Sequence, residues 1–122
     1  MPTKKAPSWD AIPGETVRPG VSRKGFASDK VMLVMNECQP GMALNPHSHT
    51  FEQVVYIVKG KCRYHVGDIA YEMEPGSVLV VPTGVIHYIE PVGDEAVLNL
   101  DVFAPPRADY RHLTEWQNAP ET

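Results

Sequence analysis

The chain has 122 residues, a formal net charge of -4 and 43% hydrophobic content, enough for one domain with a core and too little for a second. Basic side chains are scattered, with Lys4-Lys5 and Arg23-Lys24 the densest groups, too short to follow a phosphate backbone or an anionic membrane surface. No apolar run approaches the ~18 residues that cross a bilayer, and Met1 to Asp10 lacks the apolar centre of a signal peptide, so a cytoplasmic protein without nucleic-acid or membrane partners is expected.

Cys38 and Cys62 fit neither a disulfide framework nor a zinc–thiolate site, and read as reduced, buried thiols. Twelve prolines and nine glycines cut the chain into short pieces. None of the pieces carries a helical apolar repeat, which leaves short strands.

In chain order, residues 1–8 read as a flexible or strand-exchanging tail and residues 9–122 as a single domain. Trp9 to Gly25, with three glycines and two prolines, reads as an irregular lead-in with one edge strand. Lys30 to Cys38 is the first clear strand, and its continuous apolar centre predicts burial on both faces. Gln39-Pro40-Gly41 is a turn signal. Strands are then predicted at Met42 to His49, Gln53 to Val58, Lys61 to Val66, Ile69 to Glu74, Ser77 to Val81, Val85 to Ile89 and Ala96 to Ala104. The breaks fall at Gly60, Gly67-Asp68, Pro75-Gly76 and Pro82-Thr83-Gly84. Eight or nine strands at this spacing predict an all-β antiparallel sandwich or barrel. Beyond Pro105-Pro106, one short helix is expected around Ala108–Trp116.

Three of the five histidines fall in two short segments. His47 and His49 are two apart, so on a strand both imidazoles leave from one face, ~6–7 Å apart along the chain and close enough to converge on one ion. Their neighbours Asn45-Pro46 and Ser48-Thr50 are small or polar, unlike a core stripe. With His87 beside a Pro-x-Gly turn, the three predict a metal site. Imidazole without thiolate suits zinc, nickel, iron, cobalt or manganese alike. On an extended strand Gln53 would lie ~13 Å from His49, so it reaches the same ion only if the chain turns at Thr50–Glu52.

These spacings resemble the cupin family, recognised by G-x5-H-x-H-x3,4-E-x6-G and G-x5-P-x-G-x2-H-x3-N. Gly41-MALNP-His47-S-His49-TFE-Gln53-VVYIVK-Gly60 follows the first motif and Gly76-SVLVV-Pro82-T-Gly84-VI-His87 the second. The resemblance implies a single antiparallel β-barrel or jelly roll with one divalent metal ion on His47, His49, His87 and Gln53. Gln53 stands where the family usually has Glu, and Pro91 where the second motif usually ends in Asn. Glu52 comes one position too early and, by strand parity, points away. Three imidazoles and a carboxamide are all neutral and leave a divalent ion its full charge, which favours Lewis-acid over oxygen chemistry.

Ala96 to Ala104 alternates: Leu98, Leu100 and Val102 on one face, Val97, Asn99, Asp101 and Phe103 on the other. With the leucine face against the second sheet or a partner subunit, Asn99, Asp101 and Phe103 line the barrel interior near the metal. There a carboxylate is costly unless paired or functional. Arg107 follows, placed to grip a carboxylate across the barrel mouth. The string Asp101-V-Phe103-A-P-P-Arg107-A-D-Tyr110, with the HSHTFEQ segment, resembles the small cupins of pectin and alginate breakdown, which convert cyclic 4,5-unsaturated monouronates to the linear ketonised form. That resemblance implies that Arg107 binds the uronate carboxylate, Asp101 shuttles a proton and Phe103 presents a ring face to the sugar. The expected partners are a small acidic substrate and a second copy of the chain, as a homodimer. Rival readings are a polyketide cyclase or dioxygenase on the same scaffold, or a metal-dependent small-molecule binding protein without turnover. Arg63, His65 and Tyr64 read as structural or solvent-facing, and His112 is assigned no role.

Overall fold

The computed structural model describes residues 3–118. Nine strands form two antiparallel sheets: β1 (Glu15–Arg18), β2 (Val21–Ala27), β3 (Met32–Cys38), β4 (Gln53–Lys59), β5 (Lys61–Val66), β6 (Ile69–Met73), β7 (Val78–Val81), β8 (His87–Val92) and β9 (Val97–Phe103). The larger sheet runs β1-β2-β3-β9-β4-β7 and the smaller β6-β5-β8. The sheets face each other across Cys38, Val55, Ile57, Val81 and Val97 on one side and Cys62, Tyr64 and Met73 on the other. Among the described residues no strand ladder joins them, so the expected barrel is an open jelly roll rather than a closed cylinder.

Side-chain parity decides what faces inward. Gln53, Val55 and Ile57 of β4 are buried, whereas Val54, Tyr56 and Val58 are exposed. In β9, Val97, Asn99 and Phe103 are buried and the leucine face turns outward. Met32, Val34 and Phe103 form a second core with Ala27 and with Leu113. Leu113 belongs to a 3-10 segment, Ala108–Asn118, which stands where a helix was expected.

That segment covers the part of β2 that β1 leaves unpaired. Gln117 exchanges two hydrogen bonds of 2.9 Å with the backbone of Ala27, and Trp116 Nε1 donates to the Gly25 carbonyl at 3.0 Å. In this way side chains supply the partners a neighbouring strand would give an exposed edge. The close approach demands glycine in mid-strand, because a Cβ on Gly25 would lie 2.7 Å from Leu113 Cβ.

Three expectations are corrected. Met42–His49 is not a strand: only His47 pairs, in a single bridge with His87, and Pro46 beside it lacks the N–H group a ladder needs. Trp9 to Gly25 holds all of β1 and more than half of β2, not one edge strand. Its polar run Ser22-Arg23-Lys24 hides the strand because Arg23 is turned toward Glu15 and the cavity. The strand expected at Val85–Ile89 begins at His87 and runs through Pro91 to Val92, which an edge strand tolerates. Residues 3–8 form no helix or strand, and the rest of the expected tail lies outside the described residues.

Candidate metal centre

Backbone hydrogen bonds clamp the two histidine-bearing segments together. His47 N–H donates to the His87 carbonyl at 3.2 Å, and His87 N–H to the His47 carbonyl at 2.9 Å. The Pro82-Thr83-Gly84 turn adds a third tie, from Gly84 N–H to the His49 carbonyl at 2.8 Å. Bends at Thr50 and Phe51 then start β4 at Gln53, so the turn that Gln53 needed is present.

Each imidazole is oriented by a carbonyl two residues away. His47 Nδ1 contacts the Asn45 carbonyl at 2.6 Å, His49 Nδ1 that of Phe51 at 2.7 Å and His87 Nδ1 that of Val85 at 2.9 Å. A carbonyl can only accept, so all three Nδ1 atoms carry the proton and all three Nε2 atoms present a lone pair. One ligand atom from each ring lies within 4.8 Å of the others. Burial lowers the pKa of His47 and drives that of His87 down to about 4, so both are neutral at pH 7.

Two features of this cluster call for a cation. His87 Nε2 is sealed from solvent with no hydrogen-bond partner, and a buried acceptor without a donor is costly. His49 Nε2 lies 2.8 Å from Gln53 Oε1, which sets two acceptors face to face. The Gln53 amide is held that way round because its Nε2 donates to Asp101 Oδ1 at 3.1 Å and to Tyr64 Oη at 3.3 Å. A divalent ion satisfies all of these lone pairs, so the residues fit the metal that their spacing predicts. Glu52 is exposed, as parity required.

Asp101 also accepts from Asn36 Nδ2 at 2.9 Å and Asn99 Nδ2 at 3.1 Å. Burial pushes its carboxyl up to about 7, against those hydrogen bonds, which favour the charged form. A cavity of about 280 Å³ opens beside it, lined by His47, Gln53, Tyr64, Asp101, Arg107 and Tyr110 among others. Arg107 is buried, with its guanidinium 3.8 Å from the Tyr110 ring centre, 4.7 Å from that of Phe51 and 4.9 Å from that of Phe103. Asp109 accepts from its Nε at 3.1 Å and Nη2 at 2.8 Å, which leaves three of its five N–H groups for a ligand.

Phe103 sits differently from the expectation. It is 1% exposed, its ring tilted edge-on to His49 and Tyr110 beneath Arg107, and it does not line the cavity. Its ring supports these groups and presents no face to a sugar. The thiols of Cys38 and Cys62 are free and pushed up to about 12 by burial, and neither belongs to the histidine group.

Sequence reasoning placed Asn99 in the interior, where it lines the cavity, but missed Tyr64, Asn36 and Arg18 as cavity residues. Inward parity beside Val34 and Cys38 marked Asn36; no comparable signal marked Arg18. Arg63 and His65 lie on the outer side of β5, where Glu90 joins them and His65 stacks on Tyr88 at 4.1 Å. His112 contacts Glu15 at 3.1 Å and ties the C-terminal segment to β1.

The family model for the cupin domain matches residues 34–103, more than half of the chain. The chain is a cupin. No curated protein matches it. Among solved structures, this cupin is similar to KdgF from Halomonas sp., with 27% identity, a TM-score of 0.73 and coverage of 82% of this chain and 94% of that one. It also shares its fold with an RmlC-like cupin from Shewanella frigidimarina (24% identity, TM-score 0.74, coverage 83% and 90%). An oxalate decarboxylase from Lactobacillus farciminis matches at 23% identity and TM-score 0.71, over 80% of this chain and 32% of that one.

Replacing His87 tests the centre. Calorimetric titration of the apo protein with Zn²⁺ should show His87→Ala losing more than the ~10–100-fold typical of altering a residue that merely supports a ligand. Unchanged affinity would remove His87 from the site.

Proposed function

We propose that this cupin is a metal-dependent isomerase of a small acidic, sugar-derived substrate, opening the ring of a 4,5-unsaturated monouronate. The observation that carries the reading is the junction at Gln53. One amide end faces the histidine cluster and the other donates to Asp101, so a half-buried carboxyl adjoins the candidate ligands in a cavity that also holds Arg107. The likeness to KdgF and the Asp101–Tyr110 string support the same assignment.

His47, His49, His87 and Gln53 would hold the ion, which, bound by neutral donors, supplies Lewis-acid polarisation of substrate oxygens. Arg107 directs its remaining N–H groups at the substrate carboxylate, pre-oriented by Asp109 and the surrounding rings. Asp101 takes the proton of the anomeric hydroxyl. The C1–O5 bond then breaks to leave an aldehyde at C1, and the proton is returned at C4 as the C5 enol becomes a ketone. Atoms and electrons balance, and no oxidant is needed. Tyr64, Asn36 and Asn99 hold Asp101 and Gln53 in place and are positioning residues.

The chain pairs as a homodimer in this reading. Val54, Tyr56, Val78 and Val80 are exposed on the outer side of β4 and β7, and their cross-strand partners Leu100 and Val102 continue the apolar face on β9. An apolar sheet face of this kind suits an isologous contact with a second copy. Sedimentation velocity should give twice the 13.5 kDa chain mass, and Val80→Glu should return it to a monomer; a monomeric parent protein would contradict the pairing.

Incubating the nickel-loaded protein with a 4,5-unsaturated galacturonate and following its ultraviolet absorbance tests the activity. Loss well above the buffer rate is expected, with Asp101→Asn lowering kcat by ~10²–10⁴, the usual worth of a positioned acid–base group. No acceleration with metal bound would sink the substrate assignment, whereas full activity in Asp101→Asn would sink the proton-transfer role alone.

A further inference from the structure

Three arginines line the cavity: Arg18, Arg23 and Arg107. Two of them have an acidic partner. Arg23 Nε donates to Glu15 at 2.8 Å and its guanidinium lies over Tyr110, while Arg107 is held by Asp109 at 2.8 Å. Arg18 forms no ion pair among the described residues, and its Nε is shut off from solvent without a hydrogen-bond partner. An unpaired, desolvated donor on a cation is costly, and native structures rarely leave one without a reason.

The backbone places this side chain deliberately. β1 pairs with β2 at Thr16↔Ser22 and next at Arg18↔Val21, so Val17 is an extra residue, a bulge. With regular alternation Arg18 would project on the same side as Thr16. Because of the bulge it stands opposite Val21, which is buried, and so turns inward, a common use of bulges beside binding sites. The Pro19-Gly20 turn that follows needs the left-handed conformation of Gly20, φ +81°. It is fixed by Gln39 N–H donating to the Gly20 carbonyl at 2.8 Å.

Arg18 and Arg107 occupy different ends of the inner face. Val21, opposite Arg18, lies in the cross-strand row of Cys38 and Val97, whereas Arg107 packs on Phe103 at the far end of β9. Asn36, Asn45, Asn99 and Asp101 lie in the same cavity.

We propose that Arg18 is a second anion-binding residue of this cavity, one that adds affinity for a small ligand carrying a second acid group beyond the carboxylate held by Arg107. The subsite goes beyond the uronate reading: one carboxylate is held by Arg107 near the metal ligands and the other by Arg18. At about 280 Å³ the cavity falls just below the volumes that hold drug-sized ligands and suits a small diacid.

Succinate and its monoamide, succinamate, are matched probes that differ by one charge. Titrated calorimetrically into the zinc-loaded protein, succinate should bind about tenfold or more tightly, the worth of a charge-assisted hydrogen bond. Arg18→Met should erase that difference while leaving zinc affinity unchanged and the thermal midpoint unchanged or higher. Equal affinities in the parent protein, no binding of either probe, or a preference that survives Arg18→Met would each overturn the proposal. A lowered midpoint in Arg18→Met would assign the residue to stability instead and overturn it too. None of these readouts requires turnover, so failure of the uronate assay and failure of this subsite are separate results.

Discussion

The reciprocal pair of backbone hydrogen bonds between His47 and His87 is the constraint on which the rest of the site depends. It joins a loop that is not itself a strand to the first residue of β8, and so brings together residues 40 positions apart in the chain. With the Gly84–His49 bond it fixes the backbone beneath all three imidazoles, and the local Nδ1–carbonyl contacts then fix each ring. The direction of three lone pairs is thus settled by backbone geometry before any ion arrives, which lowers the ordering cost of binding one.

Holding lone pairs this way opposes folding, and the surrounding contacts offset that cost. Gln53 is the hinge of the arrangement: its oxygen faces His49 and its nitrogen serves Asp101 and Tyr64. Asp101 in turn is held by two asparagines, so the carboxylate is fully engaged rather than orphaned. Phe103 and Tyr110 seat Arg107, and the C-terminal segment that carries Tyr110 is pinned to β2 through Trp116 and Gln117. Changes far from the cavity, such as filling the space at Gly25, therefore reach the arginine through this segment.

Much of the fold was legible because apolar alternation and Pro/Gly punctuation report directly on half-buried strands, as in β4, β5 and β9. The histidine group was legible because its spacing matches a known pattern, and the bend that would bring Gln53 to it is there. Two kinds of feature were not. Strands that carry cavity residues, β1 and β2, have polar side chains pointing inward, so the usual inside–outside contrast is lost. The inward turn of Arg18 depends on a one-residue bulge, and a single inserted residue leaves no periodic trace. Phe103 was placed on the correct face, but its burial depends on Arg107 and Tyr110, which arrive from a segment with no strand pattern.

The central claim is a cation held by three imidazoles and the oxygen of Gln53. X-ray absorption at the zinc edge of the zinc-loaded protein tests it most directly. The account predicts scattering from three imidazoles and from oxygen, all at ~2.0–2.2 Å, with the oxygen contribution reduced or replaced in Gln53→Ala. Fewer than three imidazoles, or a sulfur shell at ~2.3 Å from Cys38 or Cys62, would contradict it.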